Sequence, residues 1–389
     1  MYSLVIGFLI LIIIWIIEYH NHQFWRKKIP MIIHVNGTRG KSSVTRLLAA
    51  GLRAGGKKVM AKTTGSAPVI IFEDGSETPI VRHFGANIKE QLKIIKFCAK
   101  RDLDILVLEC MAVTPEYQWV TEKEMVMSQV GVITNTRLDH LDVMGPGLRN
   151  CTLSLCNSLP MNGIAFTSEW KMLPLIKTQA KKVHTKLSFS DGSKIPDEMM
   201  RGFRHIEHKD NVALSLDVCD YCKVDRDAAL KGMYDAIPDV GAAEIFQVNK
   251  DGKKIFFVHS FAANDPESTE FLINYVKQIH SHIESVSVVL NTREDRIYRS
   301  KQLIDMCVDL EHDELFLIGQ QTQSMLSYAL NHNIPEAEVH DCGWVSGAEL
   351  VDTVSKLDAN EILLFGVGNI GGNGGIIVDY FRERNGKNV

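Results

Sequence analysis

A surplus of basic charge is missing from this chain: 43 Lys and Arg stand against 47 Asp and Glu, a formal net charge of −4. Nucleic-acid binders gather Lys and Arg on one surface and usually run basic, so no nucleic-acid partner is expected. Dense cysteine spacing is missing too. Eight cysteines are scattered over 389 residues, which excludes a small disulfide-stapled scaffold and reads as reduced thiols in a cytosolic compartment. There is no low-complexity tract, no internal repeat, and no Ser-His-Asp or Cys-His arrangement that stands out as a nucleophile. What remains is ordinary globular material, 45% hydrophobic and 23% charged, enough for two packed cores behind a short leader.

One segment stands apart. From Tyr2 to Ile17 there is no charge, and the 16 residues would span roughly 24 Å as a helix. A cleaved signal peptide wants a positive charge before such a run and small residues after it, and both are absent here. A buried core helix is compatible with the length alone. A membrane anchor accounts for more: Tyr2 at one edge and Trp15, Tyr19 and Trp25 at the other suit the interfaces, and Arg26, Lys27 and Lys28 favour the cytoplasmic side. The expectation is a single-pass transmembrane helix with the body of the protein in the cytoplasm.

After Pro30 short apolar runs alternate with longer mixed stretches. Met31 to Val35, Ile105 to Leu108 and Val130 to Ile133 are apolar on successive residues, as strands covered on both faces require. A second series places strands at Ile255 to Val258, Ser287 to Leu290, Leu315 to Ile318 and Ile362 to Phe365. Between the series, the Pro and Gly of Ile237-Pro238-Asp239-Val240-Gly241 mark a boundary. The fold class is therefore α/β. Residues 1–28 form an anchor and basic flank, 29–237 a nucleotide-binding domain with a mostly parallel sheet, and 243–389 a smaller, doubly wound C-terminal domain.

The most informative stretch is Ile32-Ile33-His34-Val35-Asn36-Gly37-Thr38-Arg39-Gly40-Lys41-Ser42-Ser43. An apolar strand enters a glycine-bearing turn, and Val44, Leu47, Leu48 and Leu52 follow at helical spacing up to Gly55-Gly56. This is the context of a phosphate-binding loop, with Asn36 to Ser43 around the nucleotide. Gly37 and Gly40 let backbone N–H groups curl around phosphates at a helix N-terminus. Lys41 would neutralise the β- and γ-phosphates and the Ser42 hydroxyl would reach Mg²⁺. The usual first glycine falls at Val35, so the match is to the shorter G-T-x-G-K-[ST] form. Mg²⁺ wants oxygen ligands beside the phosphates, and Glu109 ends the strand Asp104 to Leu108 at the edge where the loop lies.

The following strand ends in Thr134-Asn135-Thr136-Arg137-Leu138-Asp139-His140-Leu141-Asp142. Taken with the loop and the strand-end Glu, this resembles the Mur ligase and folylpolyglutamate synthase superfamily, and the resemblance implies that Ser42, Glu109 and His140 hold Mg²⁺. A narrower resemblance covers nearly the whole chain. Lys62-Thr63-Thr64-Gly65, Asn87 to Gln91, Glu109 to Val113, Asp139 to Pro146, Phe261 to Asp265 and Gly366 to Ile370 occur in the order seen in ligase subunits of poly-γ-glutamate synthase, of the PgsB and CapB type. By that resemblance Asn211 contacts adenine, while Ser260, Asn264 and Asp265 bring polar groups towards the reacting acyl group. Relatives tend to carry Arg where this chain has Glu244, so either Arg293 or Arg296 supplies that cation or activity is weakened. A carbamylated lysine is common in the superfamily and is not assignable among Lys171, Lys177, Lys181, Lys182 and Lys186.

Two other patterns carry less. His205-x-x-His208 with Cys219-x-x-Cys222 has zinc-like spacing, but the intervening Asn211 to Leu216 reads as helix and would spoil a compact knuckle. Gly366-x-Gly368-x-x-Gly371 is a dinucleotide fingerprint in letters only, because too little chain follows for the second strand and its acidic residue. The family resemblance implies an ADP-forming acid–amino-acid ligase that uses ATP and Mg²⁺. It would phosphorylate the γ-carboxylate of glutamate and couple the resulting acyl phosphate to an amine, with two domains closing about the hinge near Pro238 and Gly241. Implied partners are glutamate, the growing poly-γ-glutamate chain, small membrane-protein subunits and further copies of the chain. A Mur- or folylpolyglutamate-type ligase with another acceptor, and an ATPase module that assembles partners without forming amides, are the alternatives.

Overall fold

The computed structural model describes residues 2–65, 68–82, 85–203, 205–238, 244–261, 266–280, 282–283 and 285–389. The chain divides into two compact units, Met1–Val240 and Gly241–Val389. Each is built on its own sheet.

The first unit carries β1 (Met31–Asn36), β2 (Val59–Lys62), β3 (Val69–Ile71), β4 (Glu77–Pro79), β5 (Ile105–Glu109), β6 (Val130–Ile133), β7 (Ile164–Thr167) and β8 (Lys186–Phe189). They form an eight-stranded sheet in the order β4-β3-β2-β5-β1-β6-β7-β8. Every pairing from β2 to β8 is parallel, and only the β2–β3 and β3–β4 pairings are antiparallel. The continuous apolar runs of β1, β5 and β6 lie at the centre and are buried apart from the half-buried Met31, as helices on both faces require. Helix α2 (Lys41–Ala54) follows the first strand and buries Val44, Leu47, Leu48 and Leu52 against it. Burying a Leu or Val side chain contributes about 1.5–3 kcal/mol, so this face fixes where α2 begins.

The second unit carries β9 (Glu244–Lys250), β10 (Lys253–His259), β11 (Ser285–Thr292), β12 (Glu314–Gly319), β13 (Val339–Gly343), β14 (Glu361–Gly368) and β15 (Lys387–Asn388). Their order is β13-β12-β11-β14-β10-β9-β15, parallel except for β10 against β9. The strands expected at 255–258, 287–290, 315–318 and 362–365 are all present, each extended at both ends. After Gly371 the chain adds one short strand, which is not the second strand of a dinucleotide-binding unit. That strand, β15, has two residues and pairs with β9 at the sheet edge, not beside β14.

Helix α1 runs over Tyr2–Lys27, ten residues beyond the apolar run, and its Val5–Lys27 stretch is long and apolar enough to cross a membrane. Its last turns are clamped to the first unit. The His22 ring lies 2.7 Å from the Met125 carbonyl, and Gln23 reaches the Met127 sulfur. Arg26 donates to the carbonyls of Val126, Met127 and Ile29. Arg26 is buried, so it is a lock on the π-helical turn Thr121–Val126 and not part of a solvent-facing basic flank. Arg26→Ala leaves these carbonyls without their donor, at a cost of about 2–3 kcal/mol. A fall in Tm of roughly 4–10 °C is expected in detergent-solubilised protein; an unchanged Tm would mean that water replaces the guanidinium freely.

Candidate active site

The turn between β1 and α2 is braced from three directions. Asn36 Nδ2 donates to Gln118 and Ser158 at 2.9 and 3.0 Å, and its Oδ1 accepts from Gly37 N. Its side chain is thus committed to holding the loop. From the end of β6, Thr134 and Asn135 both donate to the Arg39 carbonyl, while Asn135 Oδ1 accepts from Arg39 N at 3.1 Å and the Asn135 carbonyl accepts from Thr38 N at 3.0 Å. From the helix Lys209–Tyr221, Asn211 stands against Gly40 and donates to Glu207 at 2.8 Å.

Both loop glycines are required by geometry. Gly37 has φ +136° and Gly40 φ +76°, the region that L side chains rarely adopt. A Cβ at Gly37 would stand 2.0 Å from Thr134 Oγ1, and one at Gly40 2.9 Å from Asn211 Oδ1.

Lys41 folds back on its own loop, donating to the carbonyls of Gly37 at 2.8 Å and Thr38 at 3.2 Å. Its pKa is lowered, first by burial and also by Arg39, against the pull of Glu109. Ser42 donates to Glu109 Oε2 at 2.8 Å, and Thr64 N donates to the same oxygen at 2.7 Å. His140 follows Asp139 with φ +47° and a half-exposed ring. Asp139 in turn pairs with Arg39 at 3.0 Å. Lys41, Glu109 and His140 line one cavity of about 280 Å³, with Arg82 and Thr64 on its wall. Ser43 is half-buried on the first turn of α2. A hydroxyl and a buried carboxylate already in contact, with an imidazole at the same cavity, fit a hard divalent cation beside a phosphate-binding loop.

Sequence reasoning gave no role to the group under this wall. Lys62 at the end of β2 is fully buried, 2.7 Å from Glu90 and 3.3 Å from Gln91 Oε1, and Arg82 grips Glu90 with two bonds of 2.8 and 3.0 Å. Burial would raise the Glu90 pKa, but Arg82 and Lys62 outweigh it and hold it down at about 2. Gln91 also donates to the Glu109 carbonyl at 3.0 Å, tying this network to the cavity. The signal available was a lysine ending an otherwise apolar strand, Val59-Met60-Ala61-Lys62.

Below the loop, His34 of β1 is fully buried, with Nδ1 2.7 Å from Glu122 Oε2, and Glu122 Oε1 accepts from Ser128 N and Oγ. Burial favours neutral His34, but the Cys110 thiol and the Glu122 carboxylate outweigh it and push its pKa up to about 10. A raised folded-state pKa stabilises fully below the unfolded value, near 6.5, and that stability is lost as pH rises through about 10. The loss runs at up to about 1.4 kcal/mol per pH unit. Tm should therefore decline from about pH 6.5 upward in the native chain. His34→Gln should flatten that decline, and an unchanged slope in the variant would assign it to other groups.

In the second unit, Ser260 is buried at the end of β10 and donates to the Gly366 carbonyl at 2.8 Å. Asn264 and Asp265 lie outside the described residues. Arg293 follows β11, binds Asp295 through two bonds of 2.9 Å and reaches Asn369 at 3.4 Å. Arg296 meets the same carboxylate at 3.8 Å. Glu244 pairs with Arg382 at 3.0 Å, a partner not visible in the sequence. The five lysines considered for carbamylation are all exposed, and the cavity lining includes none of them. Cys219 and Cys222 are buried where the helix Lys209–Tyr221 ends, the first beside Gly51 and the second 3.7 Å from the Met31 sulfur. Burial pushes the Cys222 thiol up to about 11, and among the described residues no three or more His, Cys, Asp or Glu side chains gather as a zinc site needs.

Residues 35–235 match the Mur ligase middle domain, and residues 245–384 match the poly-gamma-glutamate synthase CapB C-terminal domain. The chain is 34% identical over 386 residues to PGA synthase CapB of Bacillus subtilis (strain 168), covering 98% of each. It is 36% identical over 381 residues to the capsule biosynthesis protein CapB of Bacillus anthracis, covering 97% of this chain and 81% of that one. The structure of E. coli FolC in complex with ADP superposes with a TM-score of 0.69 at 16% identity, over 94% of this chain and 93% of that one. Fold and loop together define an ATP-dependent amide ligase of the Mur class. Within that class, the chain belongs to the CapB family of poly-γ-glutamate synthases.

Proposed function

We propose that the chain joins glutamate through its γ-carboxylate to make poly-γ-glutamate, consuming ATP and releasing ADP and phosphate. The observation that carries this reading is the likeness to PGA synthase CapB along 98% of both chains. The contact between Ser42 and Glu109 supports the accompanying metal assignment.

A carboxylate does not react with an amine in water, because its oxygen is a poor leaving group. Transfer of the γ-phosphoryl group of ATP to the γ-carboxylate gives an acyl phosphate and ADP. Attack on the acyl carbon by the amine of another glutamate then forms the amide, releases phosphate and passes a proton to solvent. The backbone N–H groups opening α2 hold the phosphates, and Asn211, beside Gly40, is assigned to the adenine side. Lys41 exchanges its two carbonyl partners for phosphate oxygens and carries the charge that develops there. Ser42, Glu109 and His140 would hold Mg²⁺, which when bound neutralises the β- and γ-phosphate oxygens. Arg293, with Arg296 beside it, is the candidate for the cation that Glu244 does not supply, and Asp265 is assigned to the acceptor amine.

We assign α1 to a single membrane crossing with the body in the cytoplasm. The growing polymer, small membrane-protein subunits and further copies of the chain are the partners this assignment implies. The test is ADP release from membranes carrying the chain with ATP and Mg²⁺, with and without glutamate, alongside His140→Ala. Glutamate-stimulated release that is lost in the variant, with γ-linked product, supports the ligase and its metal site. Release indifferent to glutamate would replace this reading with a nucleotide-driven assembly module.

A further inference from the structure

Three ammonium groups converge on one indole where α1 meets the first unit. The Nζ atoms of Lys28, Lys100 and Lys96 lie 4.8, 5.6 and 5.8 Å from the centroid of the Trp25 ring. Lys28 also lies 4.6 Å from the Phe24 ring. All three lysines are exposed, and no carboxylate among the described residues pairs with them. The indole N–H is taken by Asn21, and the ring packs against the cluster that includes Ile94, Ile95 and Cys98 of α3 (Glu90–Cys98). The indole is therefore held by packing, and the exposed lysines around it present their charge to solvent. Like charges held around one ring repel unless the aromatic face and a counter-anion offset them.

The place of this cluster along α1 says which anion. Trp25 lies eight residues past Ile17, where the apolar run ends, which is about 12 Å along a helix. The polar layer of a leaflet is about 5–8 Å deep, and the Debye length at physiological salt is about 8 Å. Lysine side chains extended towards the bilayer from this level lie within headgroup range. The chain as a whole is acidic, at −4, so an anionic leaflet repels much of its surface and favours a face where cations converge beside the anchor.

We propose that Lys28, Lys96 and Lys100, arranged around Trp25, form a docking surface for the headgroups of anionic phospholipids. The surface holds the first unit against the leaflet that α1 crosses, and so rests on the reading of α1 as a membrane span. Lys28 follows α1, whereas Lys96 and Lys100 come from α3 and the turn after it, so the surface extends beyond the basic residues at the helix end. Arg26, turned inward, contributes nothing to it.

The full-length chain is placed in nanodiscs of phosphatidylcholine alone or mixed with phosphatidylglycerol, and the acylation rate of each lysine is read by mass spectrometry. Each lysine near an anionic surface strengthens attachment about fivefold, so Lys28, Lys96 and Lys100 should label at least about fivefold more slowly in the mixed discs. High salt should relieve the slowing, with Lys181 and Lys356 unaffected. Lys96→Glu with Lys100→Glu, both exposed and outside the cavity lining, should restore fast labelling at Lys28. Equal rates in the two disc types overturn the proposal, as does slowing that follows the number of copies per disc, which would mean that a second copy covers the face. Release of the chain from native membranes by alkaline carbonate would instead remove the membrane-span reading; retention with equal labelling removes only the docking surface.

Discussion

Lys41→Ala is expected to reduce glutamate-dependent ADP formation by about 10³-fold, with weaker nucleotide binding. The estimate follows from where the ammonium sits: it is half-buried, donates to two loop carbonyls and lines the cavity with Glu109. In a site that excludes water, one charge aimed at the transferred phosphoryl group is worth far more than on a surface. Removing it also leaves the carbonyls of Gly37 and Thr38 without a donor, at a cost of about 1–3 kcal/mol. Tm should therefore be measured with turnover, because a loss of activity carried by unfolding alone would disappear at low temperature. Activity within about tenfold of the native chain would show that the phosphates lie elsewhere.

Gly37→Ala is expected to be at least as damaging, by a different route. The methyl group would enter at 2.0 Å from Thr134 Oγ1, with Thr134 N at 3.0 Å, and φ is +136°. The loop must move, and Thr134 also donates to the Arg39 carbonyl, so the displacement reaches the far side of the turn. Loss of detectable turnover is expected, with destabilisation of about 3 kcal/mol or more. Adding Thr134→Ala removes the hydroxyl clash and leaves the positive φ, so Tm should recover in part while activity stays low. A Gly37→Ala chain with native turnover would mean that the loop adopts another conformation when nucleotide binds.

Much of this site was legible in the sequence because its parts are local. A strand, two glycines, Lys41 and a helix follow one another within 24 residues, from Met31 to Ala54, and each step obeys a short-range rule. The central strands β1, β5 and β6 were legible because burial on both faces forces an unbroken apolar run. Glu109 ends a strand beside the loop, so edge placement alone brought it close, and the structure adds its bond to Ser42. What escaped depends on partners distant in sequence. Glu122 meets His34 across 88 residues, and Arg26 meets Val126 across 100. No periodicity encodes either contact. Glu244 looked like a missing cation and is one half of a pair with Arg382. The antiparallel edge of β3 and β4 and the terminal β15 are three residues long or shorter, too brief to leave a pattern.

The grip of Arg26 and His22 on the turn Thr121–Val126 has a mechanical consequence. A tethered enzyme on a slack linker samples all orientations above a bilayer and must find each membrane partner by rotation as well as diffusion. In the proposed membrane reading, the part of α1 beyond Ile17 is a stalk of about 15 Å whose foot is bolted to the domain that carries the phosphate-binding loop. Its height and tilt are inherited by that domain, which leaves spin about the stalk and sliding in the plane as the remaining freedoms. On the proposed membrane crossing, encounter with a partner in the same bilayer would become a planar search with most of its orientational entropy already spent.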